Sequence, residues 1–212
     1  MGSLRQTIET YKSDIVSKAP KDVINVMQRC NEELKMSGIE NQALSAGKLF
    51  PDFELPNQKG QLRRFSDYLK SSLVVLNIYR GGWCPYCNFE MKALSEALPA
   101  IQAKGAILVG MSPELPSKAE MTASNNHIDI DVLYDAGNAI SEKLGLVFTL
   151  PEVLRPIYRE FGIDIPAYNG DESFRLPVPA TYIVEKSGKI RYAFVNADYT
   201  ARMEPSDILA RL

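Results

Sequence analysis

The sequence predicts an α/β protein in which a central mixed β-sheet is flanked by helices, with a helical extension at the N-terminus. Three observations carry this prediction: residues 4–37 have a helical apolar pattern, short apolar runs alternate with helical stretches from residue 49 onward, and residues 179–196 are typical of a β-hairpin. Strands and helices that alternate over short connections predict parallel pairing with right-handed crossovers, and the hairpin adds antiparallel strands.

The first 46 residues are predicted to form two helices. Pro20 suits the first turn of the second helix, and Gly38 is suited to end it. One apolar stripe runs along the second helix through Val23, Met27, Cys30 and Leu34. We expect this stripe to pack on the rest of the chain or on a second subunit, which would make a homodimer. The chain therefore divides into a helical N-terminal arm (1–46) and a main domain (47–212).

The main domain begins with two short strands around a turn at 57–60, followed by a helical turn. The apolar run 72–79 predicts a strand buried on both faces, and a loop leads from it to a helix from about Cys84 to Lys104. Strands at 106–111 and 131–135 alternate with helices near 116–125 and 139–146. Residues 150–178 predict a short helix and then an irregular loop, before the hairpin and a final helix that begins at Pro205.

Composition excludes several classes of function. Lys and Arg total 24 against 26 Asp and Glu, so the net charge of −2 lacks the basic excess of a protein that binds nucleic acid or an anionic membrane. The N-terminus has no apolar run of the kind a signal peptide needs, and we expect a cytoplasmic protein. Three cysteines and one histidine are too few for a His-rich metal centre, a Cys–His nucleophile pair or a framework of several disulfides.

The motif that carries chemistry is WCPYC, Trp83 to Cys87, between a buried strand and a long helix. Pro85 places Cys84 at the start of the helix, where unpaired backbone N–H groups and the helix dipole favour a thiolate. Arg80 adds a second favourable charge. Cys87 lies on the same face of the first turn and can reach Cys84. We therefore expect Cys84 to be the nucleophile and Cys87 the more buried, resolving thiol.

The residues around the motif have other interpretations as well. Trp83 and Tyr86 flank the cysteines, where they would shield a disulfide and offer a docking surface, although plain packing explains Tyr86 almost as well. A structural zinc site would need Cys30 and the only histidine, His127, to converge on the two motif cysteines, so we expect no metal. Cys30 is expected to be a packing thiol. We expect His127 to lie in a loop.

A proline later in the chain strengthens a redox interpretation. Pro179 and Ala180 stand immediately before the strand TYIV (181–184), where a proline cannot donate to the sheet. A cis bond between Val178 and Pro179 would bring backbone beside the cysteines, and the pairing with WCPYC favours such a cis-proline. In the preceding insertion the aromatic residues Tyr158, Phe161 and Tyr168 either form one wall of a substrate pocket or stabilise the insertion's own packing, which is the simpler explanation.

Three segments together resemble a known family. They are SLVVLNIYRGGWCPYCNFEMKAL, AILVGMSPE and LPVPATYIVEKSGKIRYAFVNADYTARMEP. They are similar to the peroxiredoxin-like branch of the alkyl hydroperoxide reductase/thiol-specific antioxidant family, over about residues 47–210. The resemblance implies a thioredoxin-like fold, with Cys84 at the position of the peroxidatic cysteine, Cys87 at that of the second thioredoxin-type cysteine, and Pro179 at that of the cis-proline.

The sequence also departs from this family. Gly81 and Asn77 occupy the positions of the family's Thr/Ser and Pro before the cysteine, and Pro179 stands where its arginine falls. Arg80 and Arg175 are the candidate substitutes for that arginine. The segment NIYRGGW has no acidic residue, so the buried acid of thioredoxins is missing from it.

The expected function is therefore that of an antioxidant thiol peroxidase acting on hydrogen peroxide or organic hydroperoxides. It would need no cofactor beyond its own redox-active disulfide and an external thiol reductant such as thioredoxin. A thiol–disulfide oxidoreductase with little peroxidase activity and a redox-inactive scaffold or binding protein are the alternatives.

Overall fold

A computed structural model describes residues 3–212, and these contain ten α-helices and nine β-strands. The helices are α1 (Leu4–Lys18), α2 (Lys21–Met36), α3 (Ile39–Gln42), α4 (Phe65–Leu69), α5 (Pro85–Ala103), α6 (Pro116–Asn125), α7 (Ala139–Lys143), α8 (Leu154–Glu160), α9 (Ile165–Asn169) and α10 (Pro205–Leu209). The strands are β1 (Glu54–Pro56), β2 (Leu62–Arg64), β3 (Leu73–Ile78), β4 (Ala106–Ser112), β5 (Val132–Tyr134), β6 (Val147–Thr149), β7 (Arg175–Pro177), β8 (Ala180–Val184) and β9 (Ile190–Val195).

The central sheet has five strands in the order β5-β4-β3-β8-β9. Strands β3, β4 and β5 run parallel, whereas β8 is antiparallel to both β3 and β9, so the sheet is mixed as the sequence predicts. In register, Val74 lies between Ile107 of β4 and Val184 of β8. This order makes β3 the central strand, which explains its uninterrupted apolar sequence.

Helices cover both faces of the sheet. On one face Val75 of β3 packs with Met91 and Leu94 of α5. On the other face Val74 packs in a second cluster with Phe65 of α4 and residues of α7. Strand β3 ends between the helices that cover the two faces of the sheet, so the loop that follows it lies between these two helical layers. That loop and the start of α5 carry the motif Trp83–Cys87.

The N-terminal arm packs on the main domain by different residues at its two ends. Leu4 and Ile8 of α1 are buried in the cluster built around α5. Cys30 of α2 is buried with Leu154 and Tyr158 of α8, which confirms its predicted packing role. Between these anchors, Tyr11 packs edge-on against Tyr86 and Phe89 in the first turns of α5. The domain boundary at residue 46 stays a prediction.

Two sequence expectations are corrected by the fold. The insertion 150–178 is more regular than predicted, because it holds two helices and is closed at its base by the antiparallel pair β6–β7. The predicted cis bond before Pro179 is wrong, since no peptide bond of the described residues is cis. The Val178 N–H donates to the Leu146 carbonyl (2.8 Å), and the chain continues extended from β7 into β8. A trans bond serves this path and is favoured by about 0.5–1 kcal/mol.

Candidate active site

The loop Arg80–Trp83 can adopt its conformation only because two of its residues are glycines. Gly81 has a φ of +143°, and a Cβ there would lie 2.5 Å from Trp83 Nε1. A Cβ on Gly82 would lie 2.1 Å from the Thr122 hydroxyl of α6. The loop therefore packs directly against α6, and α5 begins after it at Cys84.

Cys84 is the residue that caps the N-terminus of α5, with Pro85 in the first turn, as the sequence predicts. Its N–H donates to the Gly81 carbonyl (3.1 Å), and its carbonyl accepts from the Asn88 N–H (3.1 Å). The Asn88 side chain in turn donates to the Gly82 carbonyl (2.8 Å). These bonds fix the cysteine at the positive end of a nineteen-residue helix.

A buried carboxylate, Glu114, holds the loop from the side of β4. It accepts from the Gly82 N–H (2.8 Å), the Tyr79 hydroxyl (2.5 Å) and the Thr122 hydroxyl (3.3 Å). Burial raises the pKa of Glu114, and these hydrogen bonds partly oppose the rise. Sequence reasoning missed this residue, although an acidic side chain two residues after a buried strand was an available signal.

Cys84 and Cys87 are both buried free thiols, 1% and 0% exposed. Burial alone would raise the pKa of Cys84, but the hydrogen bond from the Cys87 side chain and the charges of Arg80 and Arg202 together lower it well below its usual value. Burial raises the pKa of Cys87, and its contact with Cys84 raises it further. The pair therefore consists of one thiol poised as a thiolate and one that holds its proton.

The Arg80 guanidinium is enclosed by aromatic rings. It lies 4.7 Å from the centroid of Trp83 and 4.6 Å from that of Tyr199, and it donates to the Tyr158 hydroxyl (2.8 Å). Arg80 is 1% exposed, so its charge acts on Cys84 through protein rather than water. Of the two arginines that the sequence offered, Arg80 is the one at the cysteines.

The other candidate, Arg175, lies elsewhere. It forms an ion pair with Glu142 on the surface and lines no cavity beside the cysteines. The second guanidinium of the site comes instead from Arg202, which follows β9. Sequence reasoning did not single out Arg202, because 115 residues separate it from Cys87.

Arg202 links the cysteines to a buried acid. It donates to Cys87 Sγ (3.4 Å), and its Nε lies 3.4 Å from Glu90 Oε2. Both side chains of this ion pair are almost fully buried. Burial raises the pKa of Glu90 to about 7, although Arg202 lowers it. An acid absent from NIYRGGW is thus supplied by α5, three residues after Cys87.

A cavity of about 660 Å³ opens over Cys84. Aromatic and aliphatic side chains dominate its wall. It is lined by Tyr11, Ile15, Lys18, Ala19, Pro20, Met27, Arg80, Trp83, Cys84, Pro85, Tyr86, Asn88, Tyr158, Phe161, Ile163 and Tyr199. The arm, the motif loop and the insertion each supply part of this wall, so the chain's extra segments form a cavity at the cysteines.

The residues predicted from the sequence are only partly brought together here. The predicted residues Arg80, Trp83, Pro85 and Tyr86 all line the cavity beside Cys84. Tyr86 packs edge-on against Tyr11, with ring centroids 5.5 Å apart.

Other predicted residues lie outside the cavity. Pro179 is buried but does not line it. Tyr158 and Phe161 form part of the wall, whereas Tyr168 does not. His127 is an exposed turn residue, as expected.

Residues 3–212 contain neither a cluster of potential metal ligands nor a helix able to span a membrane. No group of three or more His, Cys, Asp or Glu side chains is arranged to hold a metal ion in this part of the chain. Nor does any described helix combine the length and apolarity needed to span a membrane.

Residues 46–193, more than half of the chain, match the sequence model of the AhpC/TSA family. The chain belongs to the AhpC/TSA family. Thiol-disulfide oxidoreductase ResA of Geobacillus kaustophilus is 26% identical to this AhpC/TSA protein over 152 residues, 72% of this chain and 70% of ResA. Peroxiredoxin Bcp of Escherichia coli is 24% identical over 103 residues, 49% of this chain and 65% of Bcp.

Solved structures share the fold of this AhpC/TSA protein. Peroxidoxin BcpB from Mycobacterium tuberculosis superposes with a TM-score of 0.63 at 22% identity, over 79% of this chain and 96% of BcpB. Mycobacterium tuberculosis AhpC gives a TM-score of 0.59 at 14% identity, over 80% and 91% of the two chains. The predicted family and the predicted thioredoxin-like fold are therefore confirmed. The protein is a thiol-based peroxidase or thiol–disulfide oxidoreductase.

Proposed function

We propose that this AhpC/TSA protein is a peroxidase that reduces hydroperoxides through a dithiol–disulfide cycle of Cys84 and Cys87. The enclosure of Cys84 carries the proposal. Its side chain is 1% exposed and is reached through a cavity of small-molecule size. A peroxide can enter such a cavity, whereas a folded protein disulfide needs an exposed thiol. The lowered pKa of Cys84 supplies the thiolate that the attack requires.

The first step oxidises Cys84 by two electrons. Its thiolate attacks the outer oxygen of a hydroperoxide, so an S–O bond forms while the O–O bond breaks. The leaving alkoxide takes from water the equivalent of the proton that the Cys84 thiol released, and it departs as the alcohol while Cys84 becomes a sulfenic acid. The buried Arg80 guanidinium stabilises the charge that moves from sulfur to oxygen.

The second step closes the disulfide and needs a proton acceptor. Cys87 holds its proton, and Glu90, three residues later on the same helix face, titrates close to neutral pH. We assign Glu90 as the acceptor, with Arg202 contacting both groups. The Cys87 sulfur then attacks the sulfenic sulfur of Cys84, the S–S bond forms, the S–O bond breaks, and the departing hydroxide takes the proton from Glu90 as water.

An external dithiol of the thioredoxin class returns the enzyme to its starting state in this proposal. Two successive thiol–disulfide exchanges reduce the Cys84–Cys87 bond and leave the external dithiol oxidised. Since such a cycle needs a reducing compartment, we also place the protein in the cytoplasm. Thioredoxin, its reductase and NADPH in the assay replace this partner, and NADPH oxidation reports turnover.

The test compares the three single Cys→Ser variants with the wild type. Cys84→Ser should abolish hydrogen peroxide consumption, and Cys87→Ser should reach a sulfenic acid that thioredoxin does not recycle. Cys30→Ser is the matched control and should turn over like the wild type, because Cys30 lies outside the cavity over Cys84. Peroxide turnover that survives Cys84→Ser would refute the proposal.

A thiol–disulfide oxidoreductase is the second candidate. The close pair in WCPYC favours it, since both thiols exchange readily with a disulfide substrate in such a motif. Insulin reduction by the wild type without any peroxide consumption would decide for this candidate. A chain that performs neither reaction would instead be a scaffold or binding protein.

A further inference from the structure

The cavity over Cys84 is much larger than hydrogen peroxide requires. A water molecule occupies about 30 Å³ in the liquid, so a cavity of 660 Å³ holds roughly twenty such volumes. Pockets that bind organic ligands cover roughly this size range, about 300–1,000 Å³. The dimensions therefore fit a substrate with a hydrocarbon body of several carbon atoms.

The chemistry of the wall divides the cavity into two regions. At the cysteine end, Arg80 Nε and Trp83 Nε1 are buried donors that have no acceptor among the described residues. Such donors fit the oxygen atoms of a peroxide. The rest of the wall includes the apolar side chains of Ile15 and Met27. Its one charged residue besides Arg80 is Lys18, which is exposed and forms an ion pair with Asp14 (2.7 Å). A molecule with one peroxide end and one apolar end matches both regions.

Part of this wall lies outside the segment shared with the family. Tyr11, Ile15, Ala19 and Met27 precede residue 46, where the family match begins. They come from α1, from α2 and from the residues that join the two helices. The arm therefore supplies a part of the cavity wall that the family match does not include.

We propose that the cavity binds the aryl group of an arylalkyl hydroperoxide, and that the wall supplied by α1 and α2 makes the enzyme prefer this substrate to hydrogen peroxide. Aromatic rings at Tyr11, Tyr86 and Tyr199 suit an aryl group by edge-on packing. The inference rests on the proposed peroxidase function. Cys84 takes the outer oxygen as in that cycle, the O–O bond breaks, and the arylalkyl alcohol leaves.

The kinetic test uses cumene hydroperoxide against hydrogen peroxide. We expect the wild-type kcat/KM for cumene hydroperoxide to exceed that for hydrogen peroxide by about tenfold or more, because filling an apolar pocket usually contributes a factor of this size. Ala19→Phe extends a ring from the arm into the cavity, and it should lower this ratio about tenfold by occupying the aryl site. Ala103→Phe is the matched control, because Ala103 is exposed at the far end of α5, about 27 Å from its start.

A binding test does not depend on turnover. Trp83 is the single tryptophan of the chain and lines the cavity, so its fluorescence reports occupancy. Titrating Cys84→Ser with 2-phenylpropan-2-ol, the alcohol formed from cumene hydroperoxide, should give a saturable change in Trp83 emission. The same titration with tert-butanol should saturate at least about tenfold higher in concentration, since it lacks the ring. Adding Ala19→Phe should weaken the aryl alcohol's binding.

The outcomes of these tests distinguish a failure of the proposed substrate preference from a failure of the proposed peroxidase function. Equal kcat/KM for the two peroxides together with no Trp83 response overturns the inference and leaves the peroxidase function standing. Absence of turnover with either peroxide overturns the peroxidase function and this substrate assignment with it. A ratio that Ala103→Phe lowers as much as Ala19→Phe would also overturn the inference, because the effect would not be confined to the cavity.

Discussion

Glu90→Gln removes the buried acid beneath the cysteines and tests whether that acid titrates near neutral pH. The substitution keeps the shape of the side chain and its place on α5 beside Arg202. It deletes the group that we assign as the proton acceptor of Cys87. Both stability and the second step of catalysis should therefore lose a pH dependence that the wild type has.

The size of the effect follows from the pKa of Glu90. Burial raises it from about 4.5 to about 7, a shift that corresponds to about 3 kcal/mol. The raised pKa means that the folded state favours the protonated carboxyl. The wild type is therefore most stable, relative to the variant, below pH 4.5, and this advantage is lost as the pH rises through 7. Between pH 4.5 and pH 8 the wild type should lose about 3 kcal/mol relative to Glu90→Gln.

Urea unfolding of both proteins at the two pH values measures this difference. Glu96→Gln is the matched control, because Glu96 lies exposed on the same helix. At pH 4.5 the wild-type Glu90 is itself protonated, so neither protein has the ion pair with Arg202. At pH 8 only the wild type has it, and its contribution is already contained in the Glu90 pKa of about 7. A carbon-13 NMR titration of Glu90 in the wild type reads the same pKa without any substitution. Parallel stability profiles for wild type and Glu90→Gln, or a titration near pH 4.5, would refute the reasoning.

Three further substitutions test the rest of the site. Arg202→Met removes one of the charges that lower the pKa of Cys84. The pH midpoint of the Cys84 alkylation rate, measured by mass spectrometry of the labelled peptide, should therefore rise by about one unit. An unchanged midpoint would exclude this role of Arg202. Tyr158→Phe takes the acceptor from the buried Arg80 guanidinium, and urea unfolding should show a loss of about 1–3 kcal/mol; wild-type stability would contradict it. Gly82→Ala places a methyl group 2.1 Å from a threonine hydroxyl of α6. The substitution should lower the free energy of unfolding by about 1–3 kcal/mol and remove most of the peroxide turnover. Full activity would show that the loop does not need this glycine.

The sequence predicted those features that short stretches of chain decide. The uninterrupted apolar run of β3 and the proline after Cys84 identify the buried strand and the helix start without reference to anything distant. The position of Cys84 at that start follows directly, and so does the closeness of Arg80, which lies four residues before it. These local signals are also why the fold class and the family could be predicted from one sequence.

The contacts between distant segments could not be predicted from such local signals. Arg202 meets Glu90 and Cys87 only because the chain after β9 packs beside the start of α5. Pro179 illustrates the opposite error, since a motif-based expectation of a cis bond is overruled by the extended path from β7 into β8.

The sequence by itself determined that this protein is an α/β thiol enzyme with its cysteine pair at a helix start. Only the tertiary structure decided which charges surround the pair and how large a molecule can reach it. The physical reason is range: hydrophobic periodicity and helix capping act over a few residues, whereas burial and charge pairing depend on what the packed chain brings together. The arm that begins more than 60 residues before Cys84 becomes the wall of its cavity for that reason.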